Sequence, residues 1–253
     1  MELLEISLLT LAGFIAGFID SIAGGGALIL VPALLFAGYS PQLALGTEKY
    51  VSTVGTLAAL YNFAKDKRVV WSLVGVGVVF AVVGAFIGAQ VILLFDTNTI
   101  GKIITFLVPL GLAVTLLPKK QKRDSDQIDL KSKKILFGAP ALCFVIGFYD
   151  GFFGPGTGSM LVLGFHLLLR LGLVEASATS KVFNLASNVG ALIAFVWTGN
   201  ILYLVGIPML LANIAGNYVG SKVALRGGAK VVRGALVGSL VILFGSLLFK
   251  YVF

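Results

Sequence analysis

Charge is what this chain has least of. Only 12% of its 253 residues are Asp, Glu, Lys or Arg, about half the share usual in a soluble domain. A soluble globular fold is therefore excluded. Cysteine is nearly absent too: Cys143 stands alone, so an intrachain disulfide, a dithiol relay and a cysteine metal cluster are all ruled out. His166 is the single histidine and lacks partners for a metal site or a catalytic triad, so it is read as structural. No phosphate-binding loop, metal motif or nucleophile elbow occurs, and neither enzymatic activity nor a cofactor or metal is expected. Met1-Glu2-Leu3-Leu4-Glu5 lacks the basic region of a signal peptide and reads as the start of the first membrane segment.

Apolar length is what the chain has most of. Hydrophobic residues make up 58% and the mean hydropathy is +1.02. Runs of membrane-spanning length cover most of the sequence, which makes a polytopic helical protein in a lipid bilayer. The runs are continuous rather than alternating in period two, against a β-barrel. The net charge of +8 does not imply nucleic acid, because Lys and Arg collect between the apolar runs.

The chain repeats itself. Gly17-Phe18-Ile19-Asp20 followed by Gly24-Gly25-Gly26 returns as Gly147-Phe148-Tyr149-Asp150 followed by Gly154-Pro155-Gly156. Thr47-Glu48-Lys49 matches Thr179-Ser180-Lys181, and Gly84-Ala85-Phe86-Ile87-Gly88 matches Gly216-Asn217-Tyr218-Val219-Gly220. Paired GxxxG patterns point to close helix packing in both halves; whether they also join two copies as a homodimer stays open. The expected organisation is an N-terminal repeat over 1–117, a charged cytoplasmic linker over 118–134 and a C-terminal repeat over 135–253. Short apolar pieces fall at 7–22, 27–37, 135–152 and 157–171. Long segments fall at 44–64, 69–95, 99–117, 175–197, 201–225 and 231–252.

If each short pair enters and leaves on one side, Lys65, Lys67, Arg68, the seven basic residues of 119–134, Arg170, Lys222, Arg226, Lys230 and Arg233 share one face. That is fifteen of the 19 basic residues, as the positive-inside rule favours. If each pair instead crosses as one broken helix, the split worsens. The expected fold is thus an all-α polytopic membrane protein of two inverted repeats, each a re-entrant helical hairpin plus three transmembrane helices, with both termini outside.

Irregular backbone at membrane depth survives only where protein buries it or water reaches it. Transporters built from repeats commonly place their substrate site at such paired breaks. Helix N-termini attract anions through free N–H groups and the helix dipole, and glycine lets a ligand approach the main chain. The candidate anion-binding residues are Gly24, Gly25, Gly26, Gly154, Pro155, Gly156, Thr157, Gly158 and Ser159. Asn184 and Asn188, which match Ser52 and Thr56, line the cavity or bridge helices. Asp20 and Asp150 are either proton-coupling carboxylates or acceptors that order the loops. Thr47, Lys49, Thr179 and Lys181 are placed at the two vestibules, where the lysines draw anions in or snorkel to the interface.

At these residues the sequence resembles the TauE/SafE sulfite exporters, within the toluene sulfonate uptake permeases. Gly17 through Gly26 with Pro32, and Gly147 through Ser159, look like that family's two signature stretches; Ala27 stands where a fourth glycine is frequent. The resemblance implies a bacterial or archaeal inner-membrane protein that moves sulfite or small organosulfur anions, often outward. Rival readings are an anion channel, an uptake carrier for another organic anion, and a sensor or membrane subunit.

Overall fold

The computed structural model describes residues 3–100, 102–103 and 133–252, the side chains of 133–136, 229, 233 and 235–252 excepted. Every regular element among them is a helix: α1 (Leu3–Ala23), α2 (Ala27–Phe36), α3 (Pro41–Lys65), α4 (Trp71–Leu93), α5 (Lys133–Phe152), α6 (Thr157–Leu168), α7 (Leu173–Trp197) and α8 (Tyr203–Val252). The last is broken at Gly228, where φ is 58° and ψ is −151°. Helices α1, α4, α7 and Tyr203–Gly228 are each long and apolar enough to cross a bilayer. Leu4, Leu204, Val79 and Leu211 on them are exposed, as side chains facing lipid must be. The protein is an all-α membrane protein. The expected segment 99–117 and nearly all of the linker 118–134 lie outside the described residues.

Helix α3 has the length to span, with 25 residues or about 37 Å, but it is not apolar. Glu48, Lys49, Ser52, Thr56 and Asn62 lie along it and all are buried. Such a helix is tolerable at membrane depth only where other helices cover its polar side. Helices α7 and α8 do so, with Asn62 Nδ2 donating to Ser221 Oγ at 2.8 Å.

Each break folds its two pieces back on themselves. Tyr39 Oη donates to Glu5 Oε1 at 3.2 Å, which joins the start of α1 to the turn after α2. In the second hairpin, Gly164 of α6 packs on Leu142 of α5. The two pieces of each pair therefore fold into a hairpin. Their first helices have 21 and 20 residues, longer than expected because they begin earlier, at Leu3 and Lys133.

The two halves interlock. Gly13 and Gly17 of α1 abut Met209 and Asn213 of α8, so those helices run parallel. Gly147 and Gly151 of α5 abut Ala81 and Ala85 of α4 in the same sense. Both GxxxG faces are used here: Gly84 and Gly88 press on the backbone of Phe144 and Phe148, and Gly216 and Gly220 on that of Phe14 and Phe18. A side chain at any of these glycines would overlap main-chain atoms, so the small residues set the helix spacing. Helices α3 and α7 run antiparallel: Gly46 touches Asn200, while Arg68 bonds Glu175 at 3.0 Å. One end of the molecule thus gathers residues 62–70, 175–179 and 218–222. The other gathers 39–47, 97 and 197–202, with Gln42 Nε2 donating to Thr97 Oγ1 at 3.1 Å.

Candidate functional site

The two hairpin tips touch. Helix α1 stops at Ala23 because Gly24 takes φ +76°, and α5 stops at Phe152 before Gly154 at φ +94°. L-residues with a side chain disfavour this region, so glycine at these matched positions is a backbone requirement. Gly24 lies directly against Gly158, close enough that a Cβ on either would overlap the other's backbone. Ser159 N donates to Gly24 O at 3.1 Å and Ser159 Oγ to Ala23 O at 2.8 Å. The Ser159 hydroxyl, expected to face a ligand, instead closes one tip onto the other. Thr157 Oγ1 likewise donates to Gly154 O at 2.6 Å. The remaining tip residues are held locally: Leu28 N donates to Gly25 O at 3.1 Å, Leu30 N to Gly26 O at 3.0 Å, and Tyr149 Oη to Pro155 O at 2.9 Å. Met160 N donates to Gly156 O at 3.0 Å.

Behind each tip lies a buried ion pair that joins the halves. Lys49 Nζ donates to Asp150 Oδ1 at 2.7 Å and to Asn188 Oδ1 at 3.2 Å. Lys181 Nζ donates to Asp20 Oδ2 at 2.9 Å and also to the Asp20 carbonyl. The two lysines are 1% and 0% exposed. They sit in the interior rather than at vestibules, each neutralising the carboxylate that precedes the other half's tip. Asp150 Oδ2 also accepts from the Ser187 hydroxyl, and Asp20 Oδ1 receives Gly26 N at 3.4 Å. Each carboxylate thereby reaches the opposite half, and Asp20 also its own loop.

Thr47 and Thr179 occupy equivalent places. Thr47 Oγ1 accepts from Leu202 N at 2.9 Å just before α8, and Thr179 Oγ1 accepts from Val70 N at 3.1 Å just before α4. Each satisfies an amide that the start of a helix leaves unpaired. Of the asparagine pair, Asn188 joins the Lys49 cluster and donates to Asn184 Oδ1 at 3.4 Å. On α3, Ser52 Oγ donates to Glu48 Oε1 at 2.7 Å, while Thr56 Oγ1 is buried with no hydrogen bond among the described residues.

Sequence reasoning passed over Glu48, Ser187, Ser177 and the α8 ladder of Asn213, Asn217 and Ser221. Ser177 Oγ bonds Ile22 O at 2.9 Å beside the first tip, and Asn213 Nδ2 bonds Gly13 O at 2.9 Å. The i, i+4 spacing of the ladder was the visible signal for it. His166 Nδ1 contacts Leu171 O at 2.6 Å, a local tie at the end of α6. No group of three metal-ligating side chains occurs among the described residues.

The sequence is similar to several proteins described as probable membrane transporters. A "Probable membrane transporter protein" of Haemophilus influenzae is 36% identical over 237 residues, covering 92% of this chain and 90% of that protein. One from Sinorhizobium sp, ORF9, is 38% identical over 92% of this chain and 88% of the relative. The Escherichia coli K12 protein YfcA, with the same description, is 34% identical over 97% and 90%. No solved structure matches. The profile of the sulfite exporter TauE/SafE family matches residues 9–247, and with its doubled glycine tips the chain belongs to that family.

Proposed function

We propose that this protein is a secondary carrier of a small sulfur-containing oxyanion, with sulfite the leading candidate. The observation that carries this reading is the meeting of two glycine-rich tips inside a membrane protein of this family. The substrate is held by the main chain of Gly24–Gly26 and of Gly154–Gly158, flanked by Asn184 and Asn188. Glycine keeps side chains out of the way there, and the starts of α2 and α6 turn their positive dipole ends toward the same place. Positive charge lies close by, since a Cβ at Gly154 would fall 2.8 Å from Lys49 Nζ. Asp20 and Asp150 act as counter-ions that keep the lysines and the tips in position.

The reading requires two copies of one unit inserted in opposite directions. Support comes from the helix senses, with α1 parallel to α8, α4 parallel to α5 and α3 antiparallel to α7. The end carrying Lys65, Lys67, Arg68 and Lys222 is then cytoplasmic by the positive-inside rule. Both termini lie outside, in the inner membrane of a bacterium or archaeon, and rocking of one half against the other alternates access.

Proteoliposomes loaded with unlabelled sulfite should accumulate external radiolabelled sulfite by exchange. Current without exchange would make the protein a channel. Exchange of toluenesulfonate with no exchange of sulfite would move the substrate to another organic anion.

A further inference from the structure

The two ion-pair sites are unequal. In one, Lys181 meets Asp20 as one ammonium and one carboxylate, and the neighbouring Ser180 hydroxyl turns back to Ser177 O at 2.7 Å. At the place equivalent to Ser180 the other half carries Glu48. Lys49 Nζ therefore stands between two carboxylates, 2.7 Å from Asp150 Oδ1 and 3.1 Å from Glu48 Oε2. All three residues are buried. The charged groups facing Glu48 are Lys49 on its own helix and Asp150 from α5; α7 brings the uncharged Ser187 and Asn188 to the cluster.

With every group ionised, this cluster holds one negative charge too many for a desolvated interior. The hydrogen bonds identify the oxygen at which it is relieved. Asp150 is served on both oxygens, by Lys49 and by Ser187. Glu48 Oε1 accepts from Ser52 at 2.7 Å, whereas Glu48 Oε2 is 3.1 Å from the Lys49 ammonium, which Asp150 shares, and makes no hydrogen bond among the described residues.

We propose that Glu48 is the proton-carrying group of the transport cycle, taking one proton on Oε2 as the anion binds and releasing it as the anion leaves. This rests on the carrier reading above. With Glu48 ionised, Lys49 is committed to two carboxylates and the second tip meets a surplus negative charge. With Glu48 protonated, Lys49 has one carboxylate to neutralise and its ammonium, already beside Gly154, attracts an anion. Proton and anion therefore bind together, through one half only, because Ser180 cannot titrate.

The test is infrared difference spectroscopy of the purified full chain in detergent, titrated with acid in H₂O and D₂O without substrate. Wild type should show the carbonyl stretch of a buried carboxylic acid, shifted in D₂O. The band should vanish in Glu48→Gln and in Glu48→Ser, the second copying the other half in case the first does not fold. A wild type without that band at any pH, or a band that survives both substitutions, overturns the proposal. Sulfite exchange should depend on pH more steeply in wild type than in either variant; equal profiles also overturn it. Failure of exchange in wild type strikes at the carrier reading, whereas the band reports Glu48 whatever the substrate is.

Discussion

Lys49→Met is expected to lower the unfolding free energy of the detergent-solubilised protein by about 3–5 kcal/mol, the range for removing one partner of a buried ion pair. Methionine keeps the length and apolar stem of lysine, so little of the loss comes from a cavity. It comes from stranded carboxylates: Asp150 and Glu48 lose their shared ammonium in a site shielded from water. Lys181→Met should cost less, because it strands only Asp20, which is 8% exposed and so partly hydrated. Lys181→Met/Asp20→Asn should recover most of its single-variant loss, since a neutral pair leaves no uncompensated charge. Chemical unfolding of the four proteins of that cycle measures the coupling. A Lys49→Met protein within about 0.5 kcal/mol of wild type, the range of an inconsequential surface change, would contradict the pairing.

A glycine series separates backbone strain from tip contact. Gly156→Ala meets open space but adopts φ +90°, so it should cost about 1–2 kcal/mol from strain alone. Gly158→Ala has no such strain but would overlap Gly24, a packing conflict worth about 1–3 kcal/mol. Gly24→Ala combines φ +76° with overlap against Gly158, so its loss should exceed either. It should also depress sulfite exchange most, because the tips can no longer close together. Thermal melting of the three variants gives the order. Equal losses for Gly24→Ala and Gly156→Ala would mean that the tips do not touch.

Much of this was legible in the residues. The doubled glycine stretches correctly announced two chain reversals, because positive φ is a local demand written locally. The GxxxG pairs announced close packing, though not that each pair would press on the opposite half's hairpin. What was not legible depends on how the halves interlock. Lys49 and Asp150 are 101 residues apart, beyond any helical spacing rule. The apolar runs begin at 44 and 175, which by sequence alone sets the lysines near the membrane surface. The helices begin earlier, at Pro41 and Leu173, which sinks each lysine about 12 Å from its helix start. Glu48 is masked in the sequence by the match of Thr47 and Lys49 to Thr179 and Lys181 on either side of it. Its chemistry lies in the mismatch with Ser180.

Selenite, the selenium congener of sulfite, offers the most direct measurement. Crystals grown with it and measured at the selenium edge should give an anomalous peak where the tips meet, within hydrogen-bond reach of the main-chain N–H groups of Gly25, Gly156 or Gly158. A bound selenite found only at other residues, or no peak under conditions where selenite competes for sulfite exchange, would contradict the tip-centred site.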